Sequence, residues 1–329
     1  MIEKKSKIYL FYKSHDGSNT LALKLNSGNN YLVSTIVAHE NFYYDLESLI
    51  KPYDICIFTH GIPRGRKKRG LWINAWHGFP LKNMGLCDAN KSQRNLTKKT
   101  PWHLFDYWLS YGMEYEKRMQ AMIGINEKKF IRTGIPRLDF IKQEKNAAKR
   151  ILICPTFRTS NYRTDGNLRK LSEFYKKLTL TYESYAEKKV SFYLKAHPNE
   201  IGFFESMIRD CNIRLFSPKS GDFYQYLHNF STVITDYSSL WVDLLHTDTN
   251  IVFALPDHTE YLESRGLYSD NYINDLPGPV LLNEGDLVKL SRYDLGQPNQ
   301  TKNGYTTNWI ELSYEGSRRT WDFLMNRMH

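Results

Sequence analysis

The sequence predicts an α/β protein built from two Rossmann-like halves that face each other across a cleft. Three observations carry this. A chain of 329 residues exceeds the length at which one hydrophobic core usually keeps growing. Short β-branched and aromatic runs recur along it, as buried strands do. Stretches with helical spacing separate several of those runs, which is the alternation of parallel, doubly wound sheets.

The expected strands are Ile8–Tyr12, Tyr31–Val37, Ile55–Thr59, Leu71–Trp76, Ile151–Cys154, Val190–Ala196, Thr232–Thr235 and Ile251–Ala254. Helical spacing marks Glu114–Ile123, Asn167–Thr179 and Leu240–His246. The most polar break is Lys142–Arg150, just before the run Ile151–Cys154, and it suits an interdomain linker. The expected domains are therefore 1–145 and 146–329, with the final helix free to pack back on the first. Ligands of such sheets bind beyond the carboxyl ends of the strands, so the residues that follow each run are the ones to inspect.

Hydrophobic residues at 41% and charged residues at 24% are those of a folded globular chain. No apolar run approaches the roughly 18 residues that span a bilayer, and Ile8–Tyr12 is too short for a signal-peptide core, so cytoplasmic residence is expected. Cys56, Cys87, Cys154 and Cys211 lie far apart with no C-x-x-C pair, which argues against a zinc site or a disulfide framework. The net charge of +10 is concentrated: between Gly61 and Phe105 stand ten Lys and Arg against one acid, Asp88. That segment calls for an anionic neighbour, and nucleic acid, anionic lipid and a phosphorylated substrate all qualify. A solvated basic loop is the plainer alternative.

His77 ends the run Leu71–Trp76 in Trp76-His77-Gly78-Phe79-Pro80-Leu81-Lys82, where Gly and Pro turn the chain sharply. An imidazole there can take a proton from an attacking hydroxyl. His197 ends Tyr193-Leu194-Lys195-Ala196-His197-Pro198 in the matching place of the other half. Val233 to Leu240 runs from a strand through Thr235-Asp236-Tyr237-Ser238-Ser239 into helical spacing, so Ser238 or Ser239 is expected at a helix N-terminus. Free N–H groups there seat a phosphate, although a plain cap fits the same residues. Arg158, in Pro155-Thr156-Phe157-Arg158, could fork onto a phosphate at the same rim. Neither G-x-x-x-x-G-K-[ST] nor G-x-G-x-x-G is present, which removes the usual signatures of NTP hydrolysis and dinucleotide redox chemistry. No paired aspartates suggest a divalent metal.

Taken together, the segments Trp76–Gly85, Gly134–Asp139, Pro155–Arg158, Leu194–Pro198 and Thr235–Ser239 resemble, in order, the W-H-G-x-P-L-K, G-x-P-R-x-D, P-T-[WF]-R, H-P and T-D-Y-S-S motifs of the CDP-glycerol glycerophosphotransferase family. Arg265-Gly266-Leu267-Tyr268 and Pro277-Gly278-Pro279 extend the likeness, which spans residues from about 55 to 290. Phe79 departs from the pattern, where a small or β-branched residue often stands, and this bears on acceptor choice.

The resemblance implies a GT-B fold with the nucleotide on the C-terminal half and the acceptor on the N-terminal half. It implies transfer of glycerol or ribitol phosphate from CDP-glycerol or CDP-ribitol to an undecaprenyl-linked saccharide or polymer, in teichoic acid or capsule biosynthesis, with release of CMP. His77 would be the base; His197, Arg158, Lys195, Ser238 and Ser239 would hold the donor phosphates; Asp236 would order the turn. Lys82, Arg66, Lys67, Lys68 and Arg69 would lie on the acceptor side, against an anionic membrane surface at the inner face of the cell membrane. It implies no metal, no tightly bound cofactor and no nucleic-acid partner. Two rivals remain at this level: a GT-B enzyme using a UDP-sugar, and a basic polyanion-binding module.

Overall fold

The structure, a computed structural model, describes residues 7–12, 18–27, 33–37, 50–60, 68–141, 150–158, 165–185, 190–217, 222–292, 309–312 and 314–327. Its first sheet takes β1 (Ile8–Tyr12), β2 (Val33–Val37), β3 (Ile55–Phe58), β4 (Leu71–Asn74), β5 (Tyr107–Leu109) and β6 (Phe130–Ile131), with α1 (Ser18–Leu25), α2 (Lys91–Lys99) and α3 (Met113–Ile123) between them. The second takes β7 (Arg150–Cys154), β8 (Ser191–Leu194), β9 (Arg214–Leu215), β10 (Thr232–Thr235), β11 (Asn250–Ala254) and β12 (Val280–Leu281). Its described helices include α4 (Asp165–Tyr185), α5 (Glu205–Asp210), α6 (Leu240–Asp243) and α7 (His258–Ser264), and the last described helix is α8 (Gly316–Met325).

Every described strand pairing is parallel. The orders are β2-β1-β3-β4-β5-β6 and β12-β11-β10-β7-β8-β9. The second, read from its far edge, is the 3-2-1-4-5-6 order of doubly wound sheets, whose crevice lies where the order reverses. That reversal is between β7 and β10, and in the first sheet between β1 and β3.

The runs that predicted strands do so because both faces are covered. Ile151, Leu152, Ile153 and all four residues of β10 are buried, each large aliphatic side chain contributing roughly 1.5–3 kcal/mol by leaving water. In α4, Leu168, Leu171, Tyr175, Leu178 and Tyr182 recur at alternating steps of three and four and form the face buried on the second sheet. By contrast α2 has no buried residue and begins on Asn90, whose side chain accepts the Ser92 N–H at 2.8 Å. Nothing apolar announces it in the sequence. The expected linker lies at Lys142–Lys149, outside the described residues, up to its last residue, Arg150, which opens β7.

The two sheets share one continuous core. Phe79, Tyr111 and Tyr115 pack with Trp241 and Trp309 in the same cluster as Trp72 and Leu152. Across it, Arg137 forms a buried pair with Asp243 of α6 at 2.9 Å, and Tyr111 and Tyr224 donate their hydroxyls to the same carboxylate at 3.1 and 2.5 Å. Asp139, two residues on, accepts the Gly316 and Ser317 N–H groups at 2.9 and 2.8 Å and so caps α8. That helix lies on the first half, where the Trp321 indole donates to the Leu23 carbonyl.

Removing one partner of a buried ion pair leaves a charge stranded away from water. Asp243→Ala should therefore lose about 3–5 kcal/mol of unfolding free energy, read as a fall in the urea midpoint at unchanged slope. A midpoint within experimental error of wild type would contradict the role given to this pair.

Candidate active site

The strand ends gather at the interface between the halves. The turn after β4 carries Ala75, Trp76 and His77, and Trp76 has a left-handed backbone, φ +47, which costs a non-glycine residue about 1–3 kcal/mol. Three bonds hold it there. The Trp76 N–H donates to Asn74 Oδ1 at 2.7 Å, and the Asn19 amide of α1 donates to the Ala75 and Trp76 carbonyls, both at 2.9 Å. Gly78 then passes so close to the second half that an added Cβ would stand 2.7 Å from Ser239 Oγ. The W-H-G turn and the T-D-Y-S-S turn are thus in direct contact, brought together from different sheets.

His77 is exposed, and its Nδ1 lies 3.0 Å from the Thr59 carbonyl oxygen. A carbonyl only accepts, so Nδ1 carries the ring proton and Nε2 is the basic nitrogen. The ring stacks on His60 at 4.3 Å, nearly parallel. At the end of β8 the arrangement is reversed. His197 Nδ1 accepts the Asn199 N–H at 3.3 Å, so in the neutral ring the proton belongs to Nε2, a donor. Phe157 packs against this ring at 4.1 Å.

Asp236, fully buried at the end of β10, accepts from the Thr156 and Tyr237 N–H groups at 2.9 and 2.7 Å. It therefore orders the turn after β10 and ties it to the segment that follows β7. Arg158 departs from expectation. Its side chain is 1% exposed and its guanidinium is taken up by Asp236 at 2.7 Å and Asp257 at 2.8 Å. Because its fork is already occupied by two carboxylates, it stands behind the rim and not on it. The serines differ in part as well. The helix they precede is one turn long, Ser239 makes no capping bond with its side chain, and Ser238 Oγ accepts the Leu240 N–H at 3.3 Å.

Lys82 also sits elsewhere than expected. Instead of joining the basic segment it pairs with the second half, bridged antiparallel to Leu267, while the Asn83 N–H donates to Gly266 and the Tyr268 N–H to Leu81. Gly266 is left-handed, φ +72, and a Cβ there would meet Asn83 at 2.9 Å. Arg265 binds the Asn83 carbonyl and approaches Asp88 at 3.7 Å. Half-buried among these groups, Lys82 has its pKa pushed down to about 8, chiefly by burial, with Arg265 and Arg158 lowering it further and Asp236 opposing them. Lys195 lies with its Nζ 4.7 Å from the centre of the Phe223 ring. Of the basic run, Arg66 and Lys67 fall outside the described residues, Lys68 pairs with Asp106, and Arg69 is exposed.

Residues 57–308 match the family described as CDP-Glycerol:Poly(glycerophosphate) glycerophosphotransferase. The chain belongs to this family. Glycerophosphotransferase relatives include the teichoic acid poly(glycerol phosphate) polymerase of Bacillus subtilis, 26% identical over a 244-residue alignment that covers 64% of this chain and 30% of that one. The teichoic acid ribitol-phosphate primase of Bacillus spizizenii is 23% identical over 68% of this chain and 61% of its own. The chain thus spans 30% and 61% of the length of these two relatives. In three dimensions it is similar to the wall teichoic acid polymerase TagF, with a TM-score of 0.71 at 18% identity, over 98% of this chain and 89% of that one. The likeness covers the α/β fold with its parallel sheets.

Sequence reasoning missed Asn19, His60 and Asp257. His60 and Asp257 were within reach, since each closely follows an apolar run, the same signal that singled out His77 and His197. Asn19, beyond the end of β1, carries no motif.

If the Lys82 charge serves anion binding in the cleft, affinity for CDP should fall as pH rises through about 8, because the ammonium is lost there. Lys82→Arg should hold its affinity to higher pH, since a guanidinium stays charged. Calorimetry at pH 7 and 9 checks this, and identical pH dependence in the two proteins would remove Lys82 from the anion site.

Proposed function

We propose that the chain is a GT-B phosphotransferase that moves glycerol or ribitol phosphate from CDP-glycerol or CDP-ribitol to a hydroxyl of an undecaprenyl-linked saccharide or polymer, releasing CMP, in teichoic acid or capsule assembly. The domains divide near residue 145, with the acceptor on the first and the donor on the second. The observation that carries this reading is the opposite hydrogen-bonding of the two strand-end histidines: His77 keeps Nε2 as a base, His197 keeps Nε2 as a donor.

In the reaction the acceptor O–H gives its proton to His77 Nε2, and its oxygen attacks the phosphorus that bears the alditol. A new P–O bond forms as the bond to the bridging oxygen breaks, and that oxygen leaves with the electron pair as CMP. Charge growing on the bridge is met by the His197 Nε2–H and by the Lys82 ammonium. Lys195, which follows β8, and Ser238 and Ser239, which follow β10, would meet the donor from the same carboxyl end of the second sheet. Arg158 contributes from behind by neutralising Asp236, without which a buried carboxylate would repel the diphosphate. Orientation supplies much of the rate, since both histidines are pinned by backbone groups.

The same reading places the acceptor-side basic residues against an anionic membrane. It is supported by α2, which exposes Lys91, Lys98 and Lys99 together with Leu96. None of the described helices is long and apolar enough to cross a bilayer. Each near-surface Lys or Arg is worth roughly 1 kcal/mol at an anionic leaflet. Co-sedimentation with anionic vesicles should therefore weaken in a Lys91, Lys98 and Lys99→Ser variant and in 1 M salt, where the Debye length is about 3 Å. Equal binding of both proteins to neutral and anionic vesicles would exclude such docking.

A donor panel of CDP-glycerol, CDP-ribitol and UDP-sugars, read by mass spectrometry, should show CMP and one new phosphodiester on the acceptor; turnover confined to a UDP-sugar would overturn the proposal. His77→Ala should lower kcat about 100-fold to 10,000-fold and keep donor affinity. His197→Ala should weaken donor binding and kcat together.

A further inference from the structure

His77 is fixed to its own half through a turn that has no intrinsic reason to hold its shape. Trp76 is left-handed, and a non-glycine residue leaves that region unless its surroundings hold it. The group that holds both carbonyls of this turn is the amide of Asn19, 1% exposed at the start of α1. Its remaining hydrogen-bonding atom is also used: Asn19 Oδ1 accepts the Arg137 N–H at 3.1 Å. One side chain therefore joins three segments of the chain, at positions 19, 75–76 and 137. The last of these carries the guanidinium that binds Asp243 across the interface.

We propose that Asn19 is a positioning residue for the transfer reaction, tying the turn that presents His77 to the Arg137–Asp243 pair so that the base is held in register with the donor half. The inference rests on His77 being the base. An asparagine suits this post because an amide offers two N–H donors and one acceptor, matched here by two carbonyls and one N–H. An aspartate would set a carboxylate against two carbonyl oxygens, and alanine would leave all three backbone groups without this partner. The Asn19 side chain bonds to backbone groups of residues 75, 76 and 137, so its influence on His77 passes through the backbone of residues 75–76, and the consequence of losing it is misplacement of the imidazole.

The test compares Asn19→Ala, His77→Ala and the double variant, measuring kcat for CMP release from CDP-glycerol with a glycerol phosphate-terminated acceptor, and donor affinity by calorimetry. Misplacing a reacting group by about 1 Å can cost about 100-fold in rate. The expected result is a kcat for Asn19→Ala lowered on that order, with donor affinity within about threefold of wild type. Residues that act as a unit are non-additive, so the double variant should be no slower than His77→Ala alone. A purely structural asparagine would give the opposite pattern, in which the two losses multiply, or in which donor affinity falls in step with kcat. Either pattern, or a near-normal kcat for Asn19→Ala, overturns the proposal. If Asn19→Ala does not yield folded protein, Asn19→Ser, which keeps one polar oxygen, is judged by the same criteria with a smaller expected loss. A His77→Ala variant that turns over normally would defeat the base assignment itself. An inactive His77→Ala beside a fully active Asn19→Ala would defeat only the role of Asn19.

Discussion

The relative placement of the two sheets depends on the buried pair between Arg137 and Asp243. Stability alone does not explain why it is there, because two charges taken out of water recover little beyond their desolvation cost and an apolar pair of the same volume often does as well. The free energy of docking comes instead from the aromatic cluster around it, in which Phe79, Tyr111, Trp241 and Trp309 are all buried. What the ion pair adds is direction. Apolar surfaces slide with small penalty, whereas a guanidinium bonded through Nε and Nη2 to one carboxylate, with two tyrosine hydroxyls on the same carboxylate, has a single satisfactory arrangement. For a site divided between two sheets, register matters more than additional stability.

Each half uses a buried polar side chain to fix its strand-end turn, and the two choices differ in charge. In the first sheet the neutral Asn19 amide binds two carbonyls. In the second the Asp236 carboxylate binds two N–H groups and brings in Arg158, which Asp257 balances from the other side. The difference follows from what each turn exposes: carbonyls need donors, while amides accept a carboxylate best. A carboxylate so placed must be neutralised, and this explains why an arginine that looks like a phosphate ligand in the sequence is held inside. Lys82, arriving from the opposite half, then supplies a cation that is not already bound in a bidentate pair.

Much of the framework was legible because central parallel strands are covered on both faces and must read as apolar runs. Ile8–Tyr12 and Thr232–Thr235 carry their bounds in plain sight. The edge strands β6, β9 and β12, two residues each, bury too little to leave a pattern, and α2 buries nothing at all. Strand-end logic picked out His77 and His197 because a histidine beside Gly or Pro stands out against apolar neighbours. It could not reveal Asn19, whose significance lies in bonds to residues more than fifty positions away. Nor could it tell Arg158 from a ligand, since that depends on two carboxylates contributed by the segments that follow β10 and β11.

Phe79, the departure from the motif pattern that bears on acceptor choice in the sequence, lies where the two halves dock. Its ring is 3% exposed, packed edge-on against Tyr111 and Tyr115 and tilted on Trp309 at 4.9 Å. Arg118 lies over the same ring at 5.3 Å, and over Tyr268 and Trp309 at 4.8 and 4.5 Å, with its Nη1 donating to the Pro80 carbonyl. One cation is thus enclosed by three rings, two of which come from beyond the second sheet's first strand. Cation–π contacts strengthen as water is excluded, so a large ring at position 79 both fills the interface and closes the arginine off from solvent. The size of residue 79 is therefore set by how the halves dock.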